Sequence, residues 1–125
     1  EGKDVTIVAT SRAVLWALEA AEMLAKDGID AEVVDPRSII PLDEDTIVAS
    51  IEKTGRLVTV EESIQMCSIG SEIAALAAER AFSSLKAPVQ RVARASAPVS
   101  FAPPLEEAVS PSPAKIVEAV KRITG

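Results

Sequence analysis

The sequence predicts an α/β fold in three layers, with helices on both faces of a mostly parallel sheet of four strands in the order 2-1-3-4. Short β-branched segments alternate with longer amphipathic segments along the chain. Each connection between strands is long enough for a helical crossover, which makes neighbouring strands parallel. The 125 residues, 48% of them hydrophobic, suffice for one domain that spans residues 1–125.

The first strand and the first helix occupy residues 4–28. Asp4–Thr10 is short and β-branched, as is typical of a buried strand. Ser11 suits the N-cap of the helix that follows, and Gly28 suits its C-terminal cap. Between these two residues, apolar side chains recur at helical spacing: Val14, Leu15, Leu18, Ala21, Met23 and Leu24.

The second strand is predicted over Ala31–Asp35 and is ended by Pro36. After an apolar connection, Asp43 begins a second helix that Gly55 ends. The apolar face of this helix consists of Ile47, Val48 and Ile51. The third strand is predicted over Arg56–Glu61, where three of the residues are large and aliphatic.

The second half of the chain contains one strand and two helices. Glu62–Ile69 is predicted to be an exposed loop, and a third helix is predicted over residues 70–85. Val89–Ala95 alternates as a fourth strand does. Ser112 and Pro113 fit the N-cap and first turn of a last helix. Its apolar residues are Ile116, Val117, Val120 and Ile123.

A proline-containing segment over residues 96–111 is expected to be irregular. Within it, Ala97–Leu105 is apolar and short of charge, which in a lone domain would create an exposed apolar patch. Long irregular segments in compact domains usually pack on something. We therefore expect this segment to cover either the end of the sheet or the surface of a partner.

The composition excludes several classes of function. A net charge of -6 argues against a nucleic-acid partner, and no apolar run approaches a membrane span. The absence of histidine excludes imidazole-based catalysis, and one cysteine without histidine excludes the usual zinc sites. That cysteine, Cys67, fits a reducing compartment. With no basic residue nearby in the sequence, it is expected to be a buried or half-exposed structural thiol.

Parallel sheets bind ligands at the carboxyl ends of their strands. Six polar residues follow the first three strands there, and we call them the strand-end crevice: Ser11, Arg12, Asp35, Arg37, Glu61 and Glu62. Glycine-rich phosphate loops are missing from these connections, which disfavours nucleotide binding. Adjacent strand residues point to opposite faces, so the two glutamates are expected to be surface or interface charges. A small α/β enzyme that uses this crevice remains an alternative.

Several blocks of sequence carry a resemblance to a known family. They are GKDVTIV at 2–8, AAEML at 20–24, AEVVDPRSIIPLD at 31–43, TGRLVTVEE at 54–62, GSEI at 70–73 and APVQRV at 87–92. In order and spacing they resemble the C-terminal domain of the beta subunit of a thiamine-diphosphate-dependent 2-oxoacid dehydrogenase, a transketolase C-terminal-like domain. The pyruvate dehydrogenase decarboxylating component is the most similar. Acetoin and branched-chain relatives share most blocks, and a transketolase or deoxyxylulose phosphate synthase tail fits them less well.

The resemblance implies a non-catalytic assembly and docking domain. Enzymes of this family are alpha2-beta2 tetramers that decarboxylate a 2-oxoacid on thiamine diphosphate with magnesium, and then acylate the lipoyl group of a dihydrolipoyl acyltransferase. Their cofactor lies outside this domain, which is expected to bind no cofactor and to be inactive alone. The expected partners are the alpha subunit, a second beta subunit and the peripheral subunit-binding domain of the acyltransferase. The expected compartment is a bacterial cytoplasm or a mitochondrial matrix.

The docking surface implied by the resemblance is assigned to Glu79, Lys86 and Arg91. Relatives often have an acidic residue where this chain has Lys86, so the local charge is reversed. The sequence from Ser63 also departs from the Gly-Trp that commonly follows the paired glutamates.

Family domains usually begin with an antiparallel strand beside the second strand, and this chain is expected to start too late to include it. The open edge is expected to favour self-association. The alternative from another class is a free-standing regulatory or interaction module.

Overall fold

The structure is a computed structural model that describes residues 1–95 and 107–125. Its elements, in chain order, are β1 (Val5–Ala9), α1 (Ala13–Lys26), β2 (Ala31–Val34), α2 (Glu44–Thr54), β3 (Leu57–Ile64), α3 (Ile69–Arg80), a 3-10 turn (Phe82–Ser84), β4 (Gln90–Arg94) and α4 (Pro113–Thr124). Residues 107–109 are helical, within the segment that was expected to be irregular. The apolar segment over residues 97–105 lies outside the described residues.

The four strands form one parallel sheet in the order β2-β1-β3-β4, which confirms the predicted topology. β1 pairs with β2 from Val5↔Ala31 to Val8↔Val34. The described sheet has β2 at one edge and β4 at the other. Because the strands all run in the same direction, the segments that follow β1, β2 and β3 meet at one end of the sheet.

Helices cover both faces of the sheet and create two cores. One core lies between the sheet and the pair α1 and α4, and the other lies between the sheet and the pair α2 and α3. Side chains of each central strand point alternately into the two cores, since successive side chains point to opposite faces. Ile7 belongs to the first core and Val8 to the second, and both are buried. The prediction of three layers is confirmed.

α1 packs on the sheet through its small residues. The buried positions of this helix are Ala13, Ala17, Ala20 and Leu24. Alanines let the helix backbone approach the strands closely, in keeping with the dense packing of protein interiors. Three of the large apolar residues that recur at helical spacing, Leu15, Leu18 and Met23, are therefore exposed on the outer side of the helix.

Two of the predicted helix starts have the expected caps. The Asp43 carboxylate accepts a hydrogen bond from the Thr46 N–H at the start of α2. The Ser112 hydroxyl accepts one from the Lys115 N–H at the start of α4, where Pro113 occupies the first turn. These side chains satisfy N–H groups that the first turn of a helix leaves without partners.

The prediction that Ser11 caps α1 is wrong. Ser11 has φ 54°, in the left-handed region, and α1 begins at Ala13 without a side-chain cap. The chain uses the two residues after β1 to reverse direction, so Ser11 forms the turn and not the cap. α3 starts slightly earlier than predicted, with Ser68 as the N-cap residue, whose hydroxyl accepts from Ser71 N–H.

Two element ends also differ from prediction. β3 continues to Ile64, because Ile64 pairs with Arg94 after an irregularity in the register that begins at Val60. The pairing satisfies backbone groups that a loop would have left to solvent. α3 ends at Arg80 and not at Leu85, and a 3-10 turn follows. The turn brings Leu85 back against the core beneath α2 and α3.

Candidate functional site

The strand-end crevice contains an ion pair between the loop after β1 and the end of β3. Arg12 Nη2 lies 3.3 Å from Glu62 Oε2, so this loop and β3 are connected. The Arg12 guanidinium also lies 5.3 Å from the ring centre of Trp16, in a cation–π contact. Both charged side chains are well exposed, and exposed pairs contribute about 1 kcal/mol at most. The pair therefore neutralises charge in the crevice but adds little to the stability of the fold.

The segment after β2 contains a second, local pair. Asp35 Oδ1 accepts a hydrogen bond from the Arg37 N–H at 3.0 Å, and its other oxygen lies 3.8 Å from Arg37 Nε. Arg37 has φ 59°, and an aspartate two residues earlier stabilises such a turn through its side chain. Each arginine of the crevice therefore has a carboxylate partner within the crevice.

Glu61 is buried, so the expectation that it is a surface or interface charge is wrong. Its exposure is 3%, whereas its neighbour Glu62 is exposed. Glu61 Oε1 accepts a hydrogen bond from the Gly70 N–H at 3.0 Å, and Oε2 accepts one from the Ser63 hydroxyl at 2.7 Å. These bonds explain the burial, because a buried carboxyl needs donors on its oxygens. Glu61 holds the first turn of α3 against the end of β3.

The space between Glu61 and α3 requires a glycine. A Cβ placed on Gly70 would clash with Glu61 Oε1 and with Thr59 Oγ1. Thr59 is buried, and its hydroxyl has no hydrogen-bond partner among the described residues. A buried hydroxyl without a partner is destabilising by about 1–3 kcal/mol. The contact is therefore tight, and one of its polar groups is unsatisfied.

The two glutamates of the crevice are not brought together. Glu61 and Glu62 point to opposite faces of β3, and Glu62 is engaged with Arg12. Within residues 1–95 and 107–125, no group of three or more Cys, Asp or Glu side chains is placed to hold a metal ion. No helix in this part of the chain is long and apolar enough to cross a membrane. In the crevice, both arginines are therefore paired with carboxylates, and Glu61 is buried against α3.

A groove of about 890 Å³ lies on the other side of β3, along the edge strand β4. Its walls come from the end of β3, from β4 and from α4. Arg91 Nη1 donates to the Ser71 hydroxyl at 3.0 Å, and Gln65, with its amide oxygen toward Arg91, accepts two further bonds at 3.0 Å. Lys115 Nζ donates to three backbone carbonyls of residues 107–110. These cations therefore serve as structural clamps.

Cys67 is exposed, which contradicts its expected place as a buried or half-exposed thiol. It has φ 55° and lines the groove that Arg91 and Arg94 also line. The sequence around Cys67 contains no basic residue, and only the pairing of β3 with β4 brings these two arginines into the same groove.

The three residues assigned to docking are not gathered into one patch by hydrogen bonds or ion pairs. Arg91 belongs to the groove, next to the start of α3. Glu79 is exposed near the end of α3, and the aliphatic part of Lys86 packs over Gly55 at the opposite end of the sheet. Within the described residues, neither Glu79 nor Lys86 forms an ion pair. The assignment of these three residues to a docking surface stays a prediction.

The fold defines a doubly wound α/β domain whose two strand-end arginines each face a carboxylate. Residues 1–116 match the family described as "Transketolase, C-terminal domain". The chain therefore belongs to the transketolase C-terminal domain family. This result confirms the resemblance that the sequence blocks indicate.

Two curated relatives that this chain matches are both beta subunits. The chain is 48% identical over 125 residues to the Acetoin:2,6-dichlorophenolindophenol oxidoreductase subunit beta of Bacillus subtilis, covering 100% of this chain and 36% of that protein. It is 52% identical over 124 residues to the mitochondrial Pyruvate dehydrogenase E1 component subunit beta of Dictyostelium discoideum, covering 99% of this chain and 35% of that protein. The chain thus spans about a third of the length of the curated relatives it matches.

A solved structure supports the same fold. It is described as a split gene transketolase in an inactive beta4 tetramer. The TM-score is 0.88 at 36% sequence identity, and the match covers 99% of this chain and 40% of that chain. The sheet order and the helical layers are therefore those of a known transketolase-type domain.

Proposed function

We propose that this chain is the non-catalytic assembly and docking domain of a pyruvate or acetoin dehydrogenase beta subunit. The observation that carries the proposal is a similarity that covers the whole chain but only 35–36% of two beta subunits. A pyruvate-type parent enzyme would decarboxylate a 2-oxoacid on thiamine diphosphate with magnesium and acylate the lipoyl group of a dihydrolipoyl acyltransferase. A pyruvate-type and an acetoin-type parent are both supported, since relatives of both names match at about 50% identity.

The domain alone should be inactive. Its crevice offers no unpaired cation to a diphosphate, because Arg12 and Arg37 each face a carboxylate. Calorimetric titration of this chain with thiamine diphosphate and Mg²⁺ should show no saturable binding, and pyruvate should not be decarboxylated. Saturable binding of the cofactor would contradict the proposal and would favour a small enzyme that uses the crevice.

Docking on the acyltransferase is tested by titrating this chain with the peripheral subunit-binding domain of its own acyltransferase at low and moderate salt. We expect binding that weakens as salt rises, since docking surfaces of this kind are charged. Lys86 lies exposed at the amino end of the sheet, so Lys86→Glu should tighten binding to a basic partner. Lys26→Glu is the matched control, because Lys26 is exposed on α1, which covers the opposite face of the sheet from α3. If no binding occurs at any salt, the domain serves packing alone.

Self-association through β2 is the second test of an assembly role. The residues of β2 are all half-buried, and the described sheet ends at this strand. An uncovered strand edge presents N–H and C=O groups to another chain. Light scattering at high concentration should detect dimers or larger species if this edge pairs with another chain. A monomer at all concentrations would contradict an exposed pairing edge.

The compartment follows from the parent enzyme. Relatives include mitochondrial beta subunits of Dictyostelium discoideum and Oryza sativa and a bacterial beta subunit of Rickettsia felis. Under the proposed function, the chain would act in the cytoplasm of a bacterium or in a mitochondrial matrix, beside the alpha subunit and a second beta subunit.

A further inference from the structure

The groove beside β4 is lined mainly by positive charge, although the chain as a whole is acidic. Its described lining contains four basic side chains and one carboxylate: Arg91, Arg94, Lys115, Arg122 and Glu118. The whole chain, in contrast, has 13 basic and 19 acidic residues and a net charge of -6. Concave surfaces lined by one sign of charge attract ligands of the opposite sign. The groove therefore favours an anion.

Two of these cations have only neutral partners. The carboxylate of the groove is engaged elsewhere, since Glu118 Oε1 lies 2.6 Å from Arg122 Nη2. Within residues 1–95 and 107–125, neither Arg91 nor Lys115 forms an ion pair with a carboxylate. Their hydrogen bonds go to a hydroxyl, an amide oxygen and backbone carbonyls. The positive charge of both side chains is therefore held in place without a described counterion.

Arg91 and Lys115 can act on an anion in different ways. A guanidinium has five N–H donors, and Arg91 directs one of them at Ser71 and two at Gln65. The other two donors of Arg91 have no acceptor in the described part of the chain. An ammonium has three N–H donors, and Lys115 directs all three at carbonyls of residues 107–110. Lys115 thus contributes positive charge alone, whereas Arg91 can also donate hydrogen bonds to a ligand.

The size and the walls of the groove suit a small organic molecule. Its volume of about 890 Å³ lies in the range of small-molecule sites, which is roughly 300–1,000 Å³. Apolar side chains of β3, β4 and α4 line it beside the cations: Ile64, Val92, Ala93 and Ala119. Small-molecule sites typically combine such apolar walls with a few polar groups that orient the ligand. An anion with an apolar body can use both kinds of surface.

We propose that the groove beside β4 binds a small organic dianion, with its apolar body against β4 and α4 and its carboxylate or phosphate oxygens on Arg91. A guanidinium matches the geometry of both oxygen groups, so the experiment must separate the two anion classes. The inference goes beyond the proposed function and does not depend on it. Thiamine diphosphate with Mg²⁺ is not the ligand meant here, because its thiazolium and the metal ion offset the charge of the diphosphate.

Cys67 provides a reporter for the charge of the groove, since it is the single cysteine of the chain and lines the groove in an exposed position. Its rate of modification is measured with dithiobis(nitrobenzoate), a dianion, and with dithiodipyridine, which is uncharged. The ratio of the two rates measures the attraction of anions separately from access to the thiol. We expect Arg91→Gln to lower this ratio about fivefold at low salt, and Arg91→Lys to lower it less.

Arg80→Gln is the matched control for this measurement. Arg80 is exposed at the end of α3 and does not line the groove, so removing its charge should leave the ratio unchanged. Any loosening of the segment around Cys67 in Arg91→Gln changes the rates with both reagents and cancels in the ratio. Equal reductions of the ratio in Arg91→Gln and Arg80→Gln would contradict an anion site at Arg91.

Binding itself is tested by protection of Cys67 from the uncharged reagent at fixed ionic strength. Phthalate and phenyl phosphate are the dianionic probes, and benzamide is the uncharged control of similar size. A bound probe should slow modification about tenfold at ten times its dissociation constant, and Arg91→Gln should remove the protection. Protection by phthalate alone assigns the site to carboxylates, and protection by phenyl phosphate alone assigns it to organic phosphates. The inference is wrong if neither dianion protects more than benzamide, or if Arg91→Gln is protected equally well.

Discussion

Two polar clusters are buried beneath the same helical layer, and they differ in how well they are satisfied. The first lies under α2, where the Thr6 hydroxyl contacts Ser50 Oγ at 2.7 Å and Thr54 Oγ1 at 2.8 Å. Ser50 also donates to Glu32 Oε2 at 2.6 Å, and Lys53 donates to the other oxygen at 2.8 Å. Every group in this cluster has a partner, and its carboxylate faces a cation.

The second cluster lies under the start of α3. Glu61 accepts hydrogen bonds from Gly70 and Ser63, and among the described residues no cation pairs with it and the nearby Thr59 hydroxyl has no partner. The first cluster ties β1 and β2 to α2, within the interior of the fold. The second fixes the turn between β3 and α3. The first cluster is therefore expected to stabilise the fold, whereas the second leaves one buried hydroxyl unsatisfied.

The largest expected effect is at Gly70. Gly70→Ala places a methyl group against Glu61 Oε1 and Thr59 Oγ1, so the hydrogen bond to Glu61 must lengthen or break. We expect the free energy of unfolding to fall by about 2–4 kcal/mol in urea denaturation. Gly28→Ala is the control, since Gly28 has φ 79° but open space around it, and it should cost about 1 kcal/mol. Equal losses of unfolding free energy for both variants would contradict a tight contact between Gly70 and Glu61.

Thr6→Val breaks the satisfied cluster with little change of shape. It removes the hydroxyl that joins Ser50 to Thr54, although both of these retain another partner. We expect a loss of about 1–2 kcal/mol in the free energy of unfolding, measured by denaturant titration. A neutral result would show that the α2 cluster contributes no net stability.

Thr59→Val tests the comparison between the two clusters, because its expected effect on the free energy of unfolding is opposite in sign to that of Thr6→Val. The substitution removes a buried hydroxyl that has no partner and keeps a β-branched side chain in a central strand. We expect a gain of up to about 1 kcal/mol in the same assay. A loss as large as that of Thr6→Val would mean that Thr59 has a partner, such as a bound water, and that the two clusters are equally satisfied.

The smallest expected effect is the pH dependence of the stability that Glu32 contributes. Partial burial opposes ionisation of Glu32, but hydrogen bonds from Lys53 and Ser50 outweigh it and lower the pKa of this carboxyl below its ordinary value. A lowered pKa in the folded state means that the stabilisation is present above the unfolded-state pKa and is lost as pH falls through the folded one. The difference in unfolding free energy between native chain and Glu32→Gln should be below about 1 kcal/mol at pH 7 and should vanish in acid. A difference that does not depend on pH would contradict this assignment.

Local signals in the sequence predicted most of the elements. Asp43, Gly55 and Ser112 marked helix ends because caps and left-handed turns depend on residues that are adjacent in the chain. The parallel direction of the strands is predicted because each connection is long enough for a helical crossover. The six crevice residues were placed at one end of the sheet for the same reason, although their pairing was not predicted.

The errors occurred where the outcome depends on distant residues. The burial of Glu61 is not predicted, because it depends on a donor from Gly70, nine residues later at the start of α3. The extension of β3 to Ile64 depends on pairing with Arg94, thirty residues later in the chain. The exposed side of α1 depends on which face the sheet can accommodate at close range, and alanines fit better there than leucines.

The sequence by itself determined the fold class, the order of the elements and the family, since periodicity, capping residues and ordered blocks are properties of contiguous residues. The tertiary structure alone decided which charges are paired, which carboxyl is buried and which apolar side chains stay exposed. Those outcomes depend on contacts between β1, β2 and β3 and the helices that cover them. Contacts of this kind join residues far apart in the chain, so no local pattern records them.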